Sequence, residues 1–241
     1  MSKDTQIDGQ RSKAAGLFVA AANILLLTAI SWHAVVHPSV GATTEFSMQL
    51  IQSNATTWFV LHMYFALVAA LFGASALAVI AANTRLTAST PGLAGWSILA
   101  VTNVLLSVLA LMEATAQADA AVAGDLSTFA LWFSISRGFE ILFILFPVAL
   151  LAIAVDEFRA PVPLTPRWAS TLAMLGAALM IVAVIGTSGL RIVALGQLWS
   201  ATALPMVWFI WLGLRLAFNG SKAPGDRSTM DRTEFHRQTQ P

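Results

Sequence analysis

Six stretches of more than twenty residues run through this chain almost without charge, at 14–36, 57–82, 93–115, 127–155, 168–188 and 193–218. A helix rises 1.5 Å per residue and the hydrocarbon core of a bilayer is about 30 Å thick, so ~20 apolar residues suffice for one crossing. Composition agrees: 13 Lys and Arg with 12 Asp and Glu in 241 residues, and a mean hydropathy of +0.75. A soluble domain carries charge on about a quarter of its residues. The expected fold class is therefore all-α, a polytopic membrane protein of six transmembrane helices. Residues 1–13 read as an N-terminal tail, 14–218 as the membrane domain and 219–241, polar and rich in alternating charge, as a disordered tail. The first apolar run follows Arg11 and Lys13 but is too long for a signal-peptide core, so it reads as an uncleaved span.

The basic residues orient the bundle. With the N-terminus inside, the inner segments hold Lys3, Arg11, Lys13, Arg85, Arg159, Arg167, Arg215, Lys222, Arg227, Arg232 and Arg237, and the outer segments hold Arg191. That asymmetry places both termini in the cytoplasm of a bacterial inner membrane. Trp32, Trp58, Trp96, Trp132, Trp168 and Trp199 fall near span ends, where indole rings favour the headgroup layer. The one long outer connection, 37–56, is polar and is expected to cover the outer mouth of the bundle.

Three charges lie within the spans: Glu113, Arg137 and Glu140. An ionisable group in hydrocarbon costs about 2.5–3.5 kcal/mol on insertion scales and therefore faces a partner or a cavity. Arg137 and Glu140, three apart on the fourth helix, share a face and are expected to pair. Glu113 on the neighbouring third helix extends this to a Glu–Arg–Glu network, which also has a purely structural reading as a register-fixing ion cluster. His33 and His62 fall in the same outer half, with His37 one turn beyond His33 and Pro38 ending the helix. With Gln197, these residues outline a polar pocket open to the outside, formed by His33, His62, Glu113, Arg137, Glu140 and Gln197. The pocket suits a small polar or amphipathic ligand. Pro147 frees the carbonyl of Phe143 in the fourth span, and Pro205 interrupts the sixth; kinks there would open a cavity or serve as hinges. Gly73, Gly95, Gly176, Gly186, Gly196 and Gly213 are expected at close helix crossings.

Other chemistries are restricted by what the chain contains. Without cysteine there is no disulfide, iron–sulfur cluster or thiolate zinc site. A formal charge of +1 gives no electrostatic footprint for nucleic acid. Gly186-Thr187-Ser188-Gly189 is similar to the serine motif of rhomboid proteases, but no histidine follows it within a span. A retinal protein needs an intramembrane lysine, and Lys3, Lys13 and Lys222 all lie outside the spans. Four histidines are too few for a di-metal hydroxylase or desaturase, and there is no phosphate-binding loop. A haem- or metal-dependent oxidoreductase using His33 and His62, with His37 as a further ligand candidate, stays open as an alternative, because imidazole suits iron, copper and zinc. A proton relay through His62 and the carboxylates also stays open, as does an accessory subunit bound to a larger membrane complex. The expectation is a non-enzymatic protein with no cofactor, whose partners are the lipid bilayer, a small ligand and at most another membrane protein.

From the fourth span onward, a long apolar helix ends near Val155 and is followed by Leu164-Thr165-Pro166-Arg167-Trp168, a Gly-bearing fifth helix and a sixth ending in Trp211-Leu212-Gly213. In this the chain resembles an uncharacterised family of six-helix bacterial integral membrane proteins, a domain of unknown function. The resemblance implies the six-helix topology and no activity.

Overall fold

A computed structural model describes residues 3–36, 43–190 and 192–219, with the backbone alone for 3–8 and 193. His37, Arg191 and the tail beyond Asn219 lie outside the described residues. The described chain is helical throughout, with six helical stretches long and apolar enough to cross a membrane: Gly9–Val36, Ala55–Ala81, Thr90–Val122, Leu126–Arg159, Arg167–Gly189 and Ala194–Asn219. It is a multi-pass membrane protein. Each expected span is found within a few residues of its place, and the extensions to Val122 and Arg159 come from polar residues that the helix carries without a break.

Helix α1 (Lys3–Val36) forms the first span, α3 (Ala55–Ala81) the second and α4 (Thr90–Met112) the start of the third. The third continues through a π-helical turn, Glu113–Gln117, into α5 (Ala118–Val122). The fourth is α6 (Leu126–Leu142) followed by α7 (Leu145–Arg159), and the fifth is α8 (Arg167–Val184) ending in a second π turn, Ile185–Gly189. The sixth opens as a 3-10 stretch, Val193–Thr202, and becomes α9 (Ala203–Asn219). Successive spans pack side by side, α1 on α3, α3 on α4, α4 on α7, α7 on α8 and α8 on α9, and α9 returns to α1. The six spans thus form a closed ring. Both termini share one end, here called the termini end, and the opposite one is the far end.

Closure of the ring rests on small residues. A β-carbon at Gly213 would lie 2.6 Å from the carbonyl oxygen of Gly16 and 2.8 Å from the nitrogen of Ala20. At Gly16 it would lie 2.5 Å from the nitrogen of Ala217. Gly16 and Ala20 therefore mesh with Gly213 and Ala217, four residues apart on each helix, which is how helices approach in lipid without a hydrophobic driving force. Inside the ring, Phe72, Trp96, Phe146 and Phe209 come from the second, third, fourth and sixth spans and are at most 1% exposed. Phe209 meets Phe72 at 5.8 Å and Trp96 at 5.5 Å, both edge to face. These rings fill the middle of the bundle.

Trp96 is thus a core residue, and Trp58 is equally buried, whereas Trp168 and Trp32 are exposed as expected for headgroup anchors. The polar connection after the first span contains a further helix, α2 (Thr44–Ser53), capped by the Thr43 hydroxyl. Its Met48 and Ile51 join Trp58, Ala121 and Phe129 in a small apolar cluster that covers the second, third and fourth spans at the far end. Asp125 starts α6 by accepting bonds from the nitrogens of Ser127 and Thr128 and from both hydroxyls. These bonds, led by that of the Thr128 side chain, hold its carboxyl well below the usual aspartate value, at about 2.

Pro147 breaks the fourth span outright, between Leu142 and Leu145. The Phe143 carbonyl it cannot serve accepts instead from the nitrogen of Phe146, at 2.9 Å. Pro205 has a milder effect. It sits in the first turn of α9, where a missing N–H costs no helical bond, and its ring rests against Gly176, at which a β-carbon would lie 2.6 Å away.

Replacing Gly213 with Leu is expected to destabilise the bundle by about 1–3 kcal/mol or to prevent its assembly, because neither backbone can retreat. Gly138→Ala is the control: nothing lies within 4 Å of the added carbon, so stability stays level or rises by up to about 1 kcal/mol. Unfolding in detergent followed by tryptophan fluorescence reads both.

Candidate functional site

Two irregularities of the helices, the π turns, fall together in the far half of the bundle, and the break before Pro147 lies at the middle of the fourth span. A π turn adds a residue to the helical repeat, re-aims the side chains it carries and is common at functional sites. Glu113 opens the first of these turns and Ser188 lies in the second. Between them in space stands α6, with Ser136, Arg137 and Glu140, and from the other side α3 contributes His62.

His62 is 2% exposed. Its ring stacks on Trp58, with centroids 4.1 Å apart, and its Nδ1 lies 2.8 Å from the Trp58 carbonyl oxygen. Its Nε2 lies 3.4 Å from Oε2 of Glu113 and has no hydrogen-bond partner. The other oxygen of Glu113 accepts from the Ser136 hydroxyl at 2.5 Å, while its main-chain carbonyl accepts from the Trp58 indole at 3.0 Å. Glu140 accepts from the Ser188 hydroxyl at 3.2 Å and is close enough to Glu113 for the two carboxylates to act on one another. His33 reaches in from α1, edge-on to His62 at 5.5 Å, with Phe65 beside it at 6.1 Å. Five spans thus meet at one polar cluster.

The expected Arg137–Glu140 pair does not form. Among the described residues the ion pairs are His62 with Glu113 and Arg85 with Glu157. Long helical side chains lean toward the preceding turn, so Arg137 turns back and places its guanidinium 5.7 Å from the centre of the Phe133 ring. That direction leads toward the far end of the span and away from mid-bilayer. In place of a Glu–Arg–Glu network, each carboxylate has a serine from the next span. Gln197 is exposed on the 3-10 stretch and makes none of the cluster's contacts. Gln117, at the end of the first π turn, is 3% exposed, with its Oε1 unpaired. Among the described residues, no three His, Cys, Asp or Glu converge as a metal-binding set. His37, the third imidazole of the metal reading, lies outside the described residues.

A further carboxylate lies at the termini end, and this one is buried. Glu157 is 2% exposed. It accepts from the main-chain nitrogens of Leu164 and Thr165 and from Arg85 at 3.5 Å. Around it, Arg215 holds the Leu164 carbonyl at 3.0 Å and the Trp208 indole donates to the Thr165 hydroxyl at 3.0 Å. Neighbouring Asp156 accepts from Ser89, the residue capping α4. The signal for Glu157 is present in the sequence: Leu150, Ile153, Ala154 and Glu157 share one helical face, and all four are buried. Both of its oxygens are bonded within the chain, so this cluster ties the connection between the fourth and fifth spans to the third and sixth.

No family model, no curated protein and no solved structure matches this chain.

Replacing Glu157 with Ala strands two main-chain donors and Arg85, and is expected to cost about 2–3 kcal/mol of stability. Glu157→Gln keeps one acceptor and costs less. Chemical unfolding of the two variants in detergent checks the order.

Proposed function

We propose that this chain is a non-enzymatic, multi-pass protein of a bacterial cytoplasmic membrane, with both termini in the cytoplasm. In this reading the far-half cluster is an outward-facing site for a small polar or amphipathic molecule. One contrast carries it. The Glu157 cluster has both its carboxylate oxygens bonded within the chain, whereas the far-half cluster retains hydrogen-bonding capacity that the chain leaves open. Gln117 Oε1 is buried without a hydrogen-bond partner, His62 Nε2 has only the 3.4 Å approach of Glu113, and Glu113 and Glu140 each accept from a single hydroxyl. Buried polar groups without partners are costly in a stable bundle, and a ligand that bonds to them removes that cost.

Further features support the same reading. Trp58, Phe65 and Phe133 border the cluster and suit the apolar part of an amphipathic molecule. Glu113, Arg137, Glu140 and His33 are all partly exposed, and the aromatic plug of Phe72, Trp96, Phe146 and Phe209 closes the bundle beneath them. Entry from the far end, without a passage through the middle, fits both facts.

The chain contains no cysteine, so single replacements report access directly. Ser188→Cys is expected to react with a membrane-impermeant methanethiosulfonate added at the far end, and faster with a trimethylammonium reagent than with a sulfonate one, because the Glu140 carboxylate faces it. Ser75→Cys, in the fully buried core, stays unreactive. A Ser188→Cys as inert as Ser75→Cys from both sides would overturn the proposal.

A further inference from the structure

The His62–Glu113 contact fixes more than proximity. A carbonyl oxygen only accepts hydrogen bonds, so the 2.8 Å contact of Nδ1 with the Trp58 carbonyl puts a proton on Nδ1. In a neutral imidazole Nε2 is then a bare lone pair, and this is the atom that faces Oε2 of Glu113 at 3.4 Å. An ionised carboxylate opposite a lone pair is repulsive, and the imidazole that carries the lone pair is almost wholly buried. One additional proton relieves the conflict. It rests either on Glu113, which then donates to Nε2, or on Nε2, which then faces the carboxylate as an imidazolium. Both forms are neutral as a pair.

Among the described residues, Glu113 forms an ion pair with His62 and with no Lys or Arg. From α1 the titratable group facing the pair is His33; from α6 they are Arg137 and Glu140; from the fifth span Ser188 bonds to Glu140. Arg137 lies over Phe133.

We propose that His62 and Glu113 form a proton-binding site holding one shared, exchangeable proton, taken up from and released to the water at the far end. Partly exposed His33 lies edge-on to the buried ring of His62. The net charge of the cluster therefore changes by one on proton release. A cationic group entering the site takes the place of this proton, and an anionic group binds together with it. This inference rests on reading the cluster as a working site, and it names the ion that site handles.

Infrared difference spectroscopy of the full chain in lipid nanodiscs, with pH as the only variable and no ligand added, tests it. The expected result is loss of one protonated-carboxyl or one imidazolium signal as pH rises, and absence of that signal in Glu113→Gln. Ser136→Ala keeps both members of the pair but removes the hydroxyl from Oε1, and is expected to move the midpoint of the same signal. This second variant gives an answer even if Glu113→Gln fails to fold. A signal that persists unchanged in Glu113→Gln, or a midpoint that Ser136→Ala leaves in place, would overturn the proton site, as would a wild-type spectrum with neither signal. The two proposals fail separately. An accessible Ser188→Cys beside a silent spectrum removes the proton and leaves the ligand site, and an inert Ser188→Cys beside a Glu113-dependent signal does the reverse.

Discussion

Within hydrocarbon no water is at hand to bond a stranded N–H, hydroxyl or carboxylate, so the chain must supply each partner itself. Most of this structure follows from that constraint. Helices satisfy the backbone, and the polar side chains scattered along them mostly bond to their own helix. Asn23, Ser31, Thr102, Asn103, Ser107, Thr115 and Thr187 each donate to the carbonyl four residues earlier. These residues carry no message about function. Tyr64 bonds Thr28 across the first two spans, and what stands out beyond that are two places where a carboxylate draws partners from several segments: the Glu157 cluster at the termini end and the His62–Glu113 cluster in the far half.

The two clusters answer the constraint differently. At the termini end, donors from a connecting segment converge on one carboxylate whose oxygens are both used, and the result fixes how three spans and a loop sit together. In the far half, helical regularity is given up twice, in the two π turns, and the cluster they border still leaves bonding capacity open. Regular helix would have satisfied its own backbone at lower cost. Between the clusters the interlocked Phe72, Trp96, Phe146 and Phe209 rings keep the two ends apart. The Gly16–Gly213 contact closes the ring by holding the first span, which carries His33, against the sixth.

Much of the fold was legible in the sequence, because hydropathy over some twenty residues is a signal that tertiary context rarely overrides. The intramembrane charges were legible for the same reason. Their pairing was not. Spacing of three predicted Arg137 against Glu140, but spacing says nothing of the direction in which a side chain leans, and the lean toward Phe133 decides it. The π turns leave no periodic trace, so the partnership of Ser136 and Ser188 with the two carboxylates could not be read in advance. Trp58 and Trp96 look like interface anchors by position alone; only the packing of α2 and of Phe209 reveals them as core. Glu157 was missed because a charge near a span end is ordinarily solvated, although its helical phase placed it inward.

The central claim is that side chains from separate spans form one coupled polar site in the far half of the bundle. A double-mutant cycle on unfolding stability tests it most directly, with His62→Leu, Glu113→Leu and the two together. Residues in contact within one network couple by about 0.5–3 kcal/mol, and the structure predicts a coupling energy in that range. Additivity of the two substitutions to within about 0.3–0.5 kcal/mol would contradict it, since it would mean that the imidazole and the carboxylate do not meet.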